Sequence, residues 1–253
     1  MKKIKCEMCG STELMKQDGF FQCENCGCKY SLEEAKKLMV EIEGAIKIDT
    51  SEELANLYML ARRAKDSSNI GEALKYYNLV LVKDPTSWEA AFYALIFQSL
   101  QCKVAELATA CSTIRQGMPS IINLVKNNIL NLEEQKIIFN EIATKIDWIA
   151  DIFGGNAKSY IKNADNQRAV FVAAGNVAYC FALDLRNAFP NGEHISSEMI
   201  GMKQGVNLQC FRIRNFPTDN NQKEREIYFN WAQAVKRYDP SYVIPELPPI
   251  GNI

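Results

Sequence analysis

Two short cysteine turns near the N-terminus constrain this chain more than any other feature: Cys6-x2-Cys9 and, 13 residues on, Cys23-x2-Cys26. Each Cys-x2-Cys turn brings two thiolates within reach of one ion, and two turns complete a tetrahedron with metal–sulfur bonds of about 2.3 Å. Glycine follows the second cysteine of each turn (Gly10, Gly27) and supplies the permissive backbone that such a turn needs. Between them, Leu14-Met15-Lys16 and Phe20-Phe21-Gln22 flank Gln17-Asp18-Gly19, which predicts a hairpin turning at Asp-Gly. Four protein thiolates leave no open position for water or substrate, so the expected ion is structural rather than catalytic. A module of 30 residues buries too little surface to fold unaided. Metal binding, worth on the order of 10–16 kcal/mol in comparable peptides, therefore supplies its folding free energy. Cys28 is a fifth thiol beside this set, a spare placed to exchange with Cys26.

Two knuckles joined by a hairpin make a zinc ribbon, and residues 1–30 resemble the rubredoxin-like or transcription-factor-IIB-type ribbon family. The resemblance implies Zn²⁺ held by Cys6, Cys9, Cys23 and Cys26. Iron in a rubredoxin-type site takes the same ligands, so zinc and iron both stay open at this point. A thioredoxin-like redox pair is disfavoured because no βαβ pattern surrounds either turn. Many ribbons bind nucleic acid, but residues 1–30 carry five lysines against four carboxylates and no arginine. Affinity for DNA rests on neutralised phosphates, and here there is little to neutralise them. A contiguous patch of Lys2, Lys3, Lys5, Lys36 and Lys37, or base stacking by Phe20, Phe21 and Tyr30, would favour a nucleic-acid- or polymerase-docking ribbon instead.

After Tyr30 the pattern turns helical. Ser31-Leu-Glu-Glu34, Thr50-Ser-Glu-Glu53 and Thr86-Ser-Trp-Glu89 read as capping boxes that start helices. Residues 31–50 are expected to form a linker helix. Over residues 51–122, Leu57, Leu60, Ala61 and Ala64 precede Ala73, Tyr77 and Val80, with Pro85 closing the unit. Adding 34 lands on Ala91, Ala94, Leu95 and Gln98, then Leu107, Cys111, Ile114 and Pro119. This period resembles the tetratricopeptide repeat, with one good copy and one degenerate copy from Trp88 to about Ile121. The resemblance implies a protein- or peptide-binding groove on the first helices, carried here by Ala55, Tyr58, Met59, Arg62 and Lys65, and by Glu89, Phe92, Tyr93, Ile96 and Ser99. The same residues can instead be covered by the chain's own C-terminal helices or its tail.

Residues 123–239 are expected to be a C-terminal helical region. Leu132 to Phe153 is periodic and stops at Gly154-Gly155; Ala169 to Phe189 is apolar nearly all round, a buried central helix. Asn220 to Tyr238 is amphipathic, with Ile227, Trp231, Ala234 and Val235 inward. Ser196 to Phe216 is read as helix, although Gly201 and Gly205 argue against it and Cys210-Phe-Arg-Ile alternates like a strand. Four of the eight prolines fall in Pro240–Pro249, which predicts an extended tail over residues 240–253.

The fold class expected is thus mainly α: a small N-terminal ribbon hairpin, a repeat-like array of helical hairpins, and additional C-terminal helices. With 29 Lys plus Arg, 30 Asp plus Glu and a net charge of −1, no global field attracts nucleic acid or anionic lipid. The basic start lacks the apolar run of a secretory signal, and the longest apolar stretch is shorter than the roughly 20 residues a membrane span requires. A cytoplasmic location with reduced thiols is the expectation. His194 is the one histidine, expected in a surface turn, and no hydrolase or phosphate-loop motif occurs. Cys102, Cys111, Cys180 and Cys210 read as small buried hydrophobes. A cysteine nucleophile would have to pair Cys180 or Cys210 with His194. The sequence points to a non-enzymatic adaptor with a protein or peptide partner.

Overall fold

A computed structural model describes residues 3–4, 6–17, 19–31, 34, 39–40, 50–216 and 222–249. The chain divides into two compact units, Met1–Thr50 and Ser51–Ile253.

In the first unit, β2 (Leu14–Gln17) and β3 (Phe20–Cys23) form the expected hairpin, with Gln17 opposite Phe20 and Leu14 opposite Cys23. Gly19 takes a φ of +87° in the turn, the left-handed conformation that a two-residue hairpin loop demands. A third strand, β4 (Lys29–Tyr30), adds to β3 and sets Tyr30 opposite Phe21. A separate pair joins β1 (Lys3–Ile4) to β5 (Met39–Val40), antiparallel. The Ser31 capping box is present: the Ser31 amide donates to Glu34 Oε2 at 2.9 Å and the Glu34 amide to Ser31 Oγ at 3.3 Å. The continuous linker helix is corrected, because Met39–Val40 is strand. Much of the rest of 31–50, with Lys2, Lys5, Lys36 and Lys37 of the basic patch, lies outside the described residues.

The second unit is helical: α1 (Thr50–Asp66), α2 (Ile70–Lys83), α3 (Trp88–Leu100), a 3-10 turn (Val104–Glu106), α4 (Leu107–Asn128), α5 (Leu132–Tyr160), α6 (Ala164–Ala188), α7 (Ile195–Asn215) and α8 (Gln222–Tyr238). Four starts are fixed by a side-chain oxygen that accepts from the amide three residues on: Asn69, Ser87, Asn131 and Asn163. The third capping box is thereby corrected. Ser87 rather than Thr86 caps α3, while Thr86 bonds back to Asp84. Pro119 does not close a repeat; α4 runs through it to Asn128, so the expected boundary at 122–123 falls inside a helix.

α6 is the centre, packed against α4, α5 and α7. By length and composition it could cross a membrane, yet 56% of its most apolar window is buried among its neighbours, as a core helix would be. Gly154 does not stop α5, which continues to Tyr160. A Cβ on Gly154 would lie 2.9 Å from the Phe171 ring of α6, so that glycine makes room for a neighbour. The same explains α7, where Cβ atoms on Gly201 and Gly205 would lie 2.5 Å from the Ala178 carbonyl and 2.7 Å from Tyr179 Cβ. The glycines that argued against a helix are its packing seam.

α8 buries Tyr228, Ala232 and Val235, while Ile227 is exposed, so its inward face is rotated from the expected one. Residues 242–249 carry neither helix nor strand.

Candidate metal centre

The two cysteine turns fold alike. Cys6 donates its amide to Ser11 O at 2.8 Å and accepts from the Gly10 amide at 2.8 Å; Cys23 donates to Cys28 O at 2.9 Å and accepts from the Gly27 amide at 2.8 Å. Gly10 and Gly27 have φ of +74° and +75°, a conformation costly for any residue with a Cβ. Hairpin pairing then brings the knuckles together, since β3 ends at Cys23 and the Glu24 amide reaches Glu13 O at 2.9 Å.

All four sulfurs lie within 4.8 Å of one another. Cys6 to Cys26 and Cys9 to Cys23 are each 3.5 Å. A tetrahedral ion with bonds of about 2.3 Å has sulfur–sulfur edges of about 3.8 Å, so the set fits one metal ion. Cys6 and Cys23 are buried and Cys9 and Cys26 exposed, which leaves one edge of the cage to solvent. Cys28 stays outside the set. It is half-buried, and its carbonyl is the acceptor that fixes Cys23.

Tyr30 is the residue the sequence reading missed. Its hydroxyl lies 3.0 Å from Cys6 Sγ, placed there by the β3–β4 pairing rather than by any motif. That hydrogen bond is the main reason the Cys6 thiol falls to about 6. At Cys26 the Cys28 backbone works downward, but the nearby Cys6 and Cys28 thiols and burial outweigh it and push the group up to about 11. Thiols this close resist shared ionisation in the absence of a cation. Metal capture must therefore expel protons and strengthen as pH rises.

The groove residues separate into two groups. Glu89, Phe92 and Tyr93 are buried, at 8%, 0% and 1% exposure, so they line no open groove. Their physical role is in the core, because α3 is apolar nearly all round. Phe92 packs edge-on to Tyr93, and Tyr93 stacks on Tyr77 at 5.4 Å. Glu89 accepts from Arg62 Nε at 2.9 Å and Nη2 at 2.6 Å and from the Tyr77 hydroxyl at 2.9 Å, tying three helices to one carboxylate. Burial raises and these donors lower its pKa, with a net depression. Tyr58, Arg62 and Lys65 keep a solvent edge. The Tyr58 hydroxyl donates to Ser87 Oγ, the Arg62 side chain is 57% exposed, and Lys65 lies 4.3 Å over the Tyr93 ring.

The expected surface turn at His194 is also corrected. His194 is 2% exposed, edge-on to Phe139 and Phe189 at 4.7 and 4.4 Å, and neither ring nitrogen has a partner. No thiol engages it. Burial pushes the Cys111 thiol up to about 12 and raises Cys210, as expected of packed, unreactive groups.

No protein-family model and no curated protein matches the chain. Among solved structures, "MamA RS-1 ArsTM double mutant" aligns at 14% identity over 75% of this chain and 97% of its own, with a TM-score of 0.26. A superposition that loose carries no argument.

Proposed function

We propose that the chain is a non-enzymatic, cytoplasmic adaptor in which Cys6, Cys9, Cys23 and Cys26 hold a structural Zn²⁺ and a tetratricopeptide-like helical unit binds protein. The observation that carries the reading is the four-sulfur cluster, all within 4.8 Å, a number of ligands that would complete a tetrahedral site. Such an ion folds its module and has no position left for substrate. Zinc is preferred to iron because a structural site needs no redox change. For the helical unit, partner contact falls to the solvent edge of α1, where Met59 is 59% exposed beside the partly open Tyr58, Arg62 and Lys65. An apolar side chain flanked by two cations suits an extended peptide bearing a carboxylate.

Metal analysis of the natively purified chain should return one zinc per chain, released in step with titration of four thiols by a mercurial. A Met59→Glu chain should lose partners captured by wild type from the native cell while keeping its zinc and helicity. Unchanged capture by that variant counts against the α1 surface, and absence of zinc counts against the ribbon.

A further inference from the structure

The last described residues are held in a way that points beyond the metal site. Tyr242, Ile244 and Leu247 pack on a core formed by Tyr179, Met202, Val206 and Cys210 with α8. The indole of Trp231 stacks on Tyr179 at 3.9 Å and 7° and packs on the same core. Val243 between them points out, 82% exposed. Three side chains on α7 and α8 then read the backbone: the Tyr228 hydroxyl donates to Pro245 O, Arg214 to Glu246 O (Nε at 3.1 Å), and Arg225 Nη2 to Pro248 O at 2.6 Å.

Every one of these bonds uses a carbonyl of the bound strand, and none asks it for an N–H. Proline keeps its carbonyl and lacks the N–H, so a proline-rich strand loses nothing here that another strand would gain. The two half-buried apolar contacts, Ile244 and Leu247, are three residues apart, the period of a polyproline II helix. Donors rooted on two helices beside an aromatic-lined apolar face, met at that period, are the means by which proline-rich segments are recognised.

We propose that the α7–α8 face is a docking site for an extended proline-rich peptide of a partner protein, and that residues 242–249 occupy it in cis as a built-in competitor. The tail leaves α8 through a turn at Asp239, which Lys203 holds at 2.8 Å. It therefore competes at an effective concentration on the order of millimolar, as short tethers do. If the tail's own intrinsic affinity for the site is about 50 μM, any partner then appears roughly twentyfold weaker until the tail is released.

The test uses the full chain and a labelled synthetic peptide of residues 240–249. Binding by fluorescence anisotropy should be at least tenfold tighter to Ile244→Asp, Leu247→Asp than to wild type. Adding Arg214→Ala and Arg225→Ala should remove it, and a peptide with its prolines replaced by alanine should bind several-fold more weakly. Failure of the peptide to bind a released-tail variant with wild-type helicity overturns the proposal. Should that variant unfold, methyl NMR on wild type decides: excess peptide should move the Ile244 and Leu247 methyl resonances toward their random-coil positions, and no change refutes displacement. Sedimentation showing tail-swapped dimers would assign the site to a second copy and overturn the partner reading.

Discussion

Gly201→Ala should weaken the helical unit, although alanine is the better helix former. The added methyl would sit 2.5 Å from the Ala178 carbonyl, 3.3 Å from Ala182 Cβ and 3.4 Å from Phe181 Cδ1. The first of these is helix backbone and cannot rotate away, so α6 and α7 must part along their common seam. Overpacking of this kind costs about 1–3 kcal/mol, and parting two central helices lies at the upper end. About 1 kcal/mol of helix propensity is returned, for a net loss of about 2 kcal/mol. Gly155 on α5 is the control: nothing lies within 4 Å of its Cβ position, so Gly155→Ala should gain about 0.5–1 kcal/mol. Urea unfolding followed at 222 nm reads both. With a slope of about 2–3 kcal/mol per M, Gly201→Ala should lower the midpoint by about 0.7–1 M and Gly155→Ala should raise it. A Gly201→Ala midpoint at or above wild type would refute the seam.

Arg62→Ala strips the guanidinium from buried Glu89 and should cost about 2–4 kcal/mol at pH 7, somewhat under the range for breaking a fully buried pair because Arg62 is partly exposed. Since the Glu89 pKa is depressed in the fold, the wild-type contribution is complete above the unfolded carboxylate value near ~4.3 and fades as pH falls through the lower folded value. Acid titration of the variant should lack that loss. Burial lowers the His194 pKa, with Lys136 adding to it and Glu193 opposing. The unfolded chain therefore takes the proton first, and stability should fall as pH drops below about 6.5. Urea midpoints at pH 7.5 and 5.5 should converge in His194→Phe. Tyr30→Phe removes the outer hydrogen bond to Cys6 and should weaken metal affinity by about 10–100-fold, read by chelator competition.

What was legible in the sequence follows from how local its causes are. The hairpin, both knuckles and the Ser31 cap are set within a few residues, and all three stand in the structure as the spacing implied. What misled was local chemistry overruled by distant packing. Gly154 and Gly201 look like helix breakers, yet each is small because another helix passes over it. Phe92 and Tyr93 occupy groove positions of the repeat pattern but meet Tyr77 and the rest of the core, since α3 has scarcely a polar face to expose. His194 follows Pro-Asn-Gly-Glu, a turn sequence, and the turn folds it back between Phe189, just before the turn, and Phe139, far off in the chain on α5. Tyr30 needed the β4 pairing to reach Cys6, and the tail's contacts needed α7 and α8 already in place.

X-ray absorption at the zinc edge of the natively purified full chain is the most direct test of the cage. Four sulfur scatterers at about 2.3 Å, with no nitrogen or oxygen in the shell, are the expected result. A chain without bound zinc, or an ion carrying light-atom ligands in place of any of the four thiolates, would contradict it.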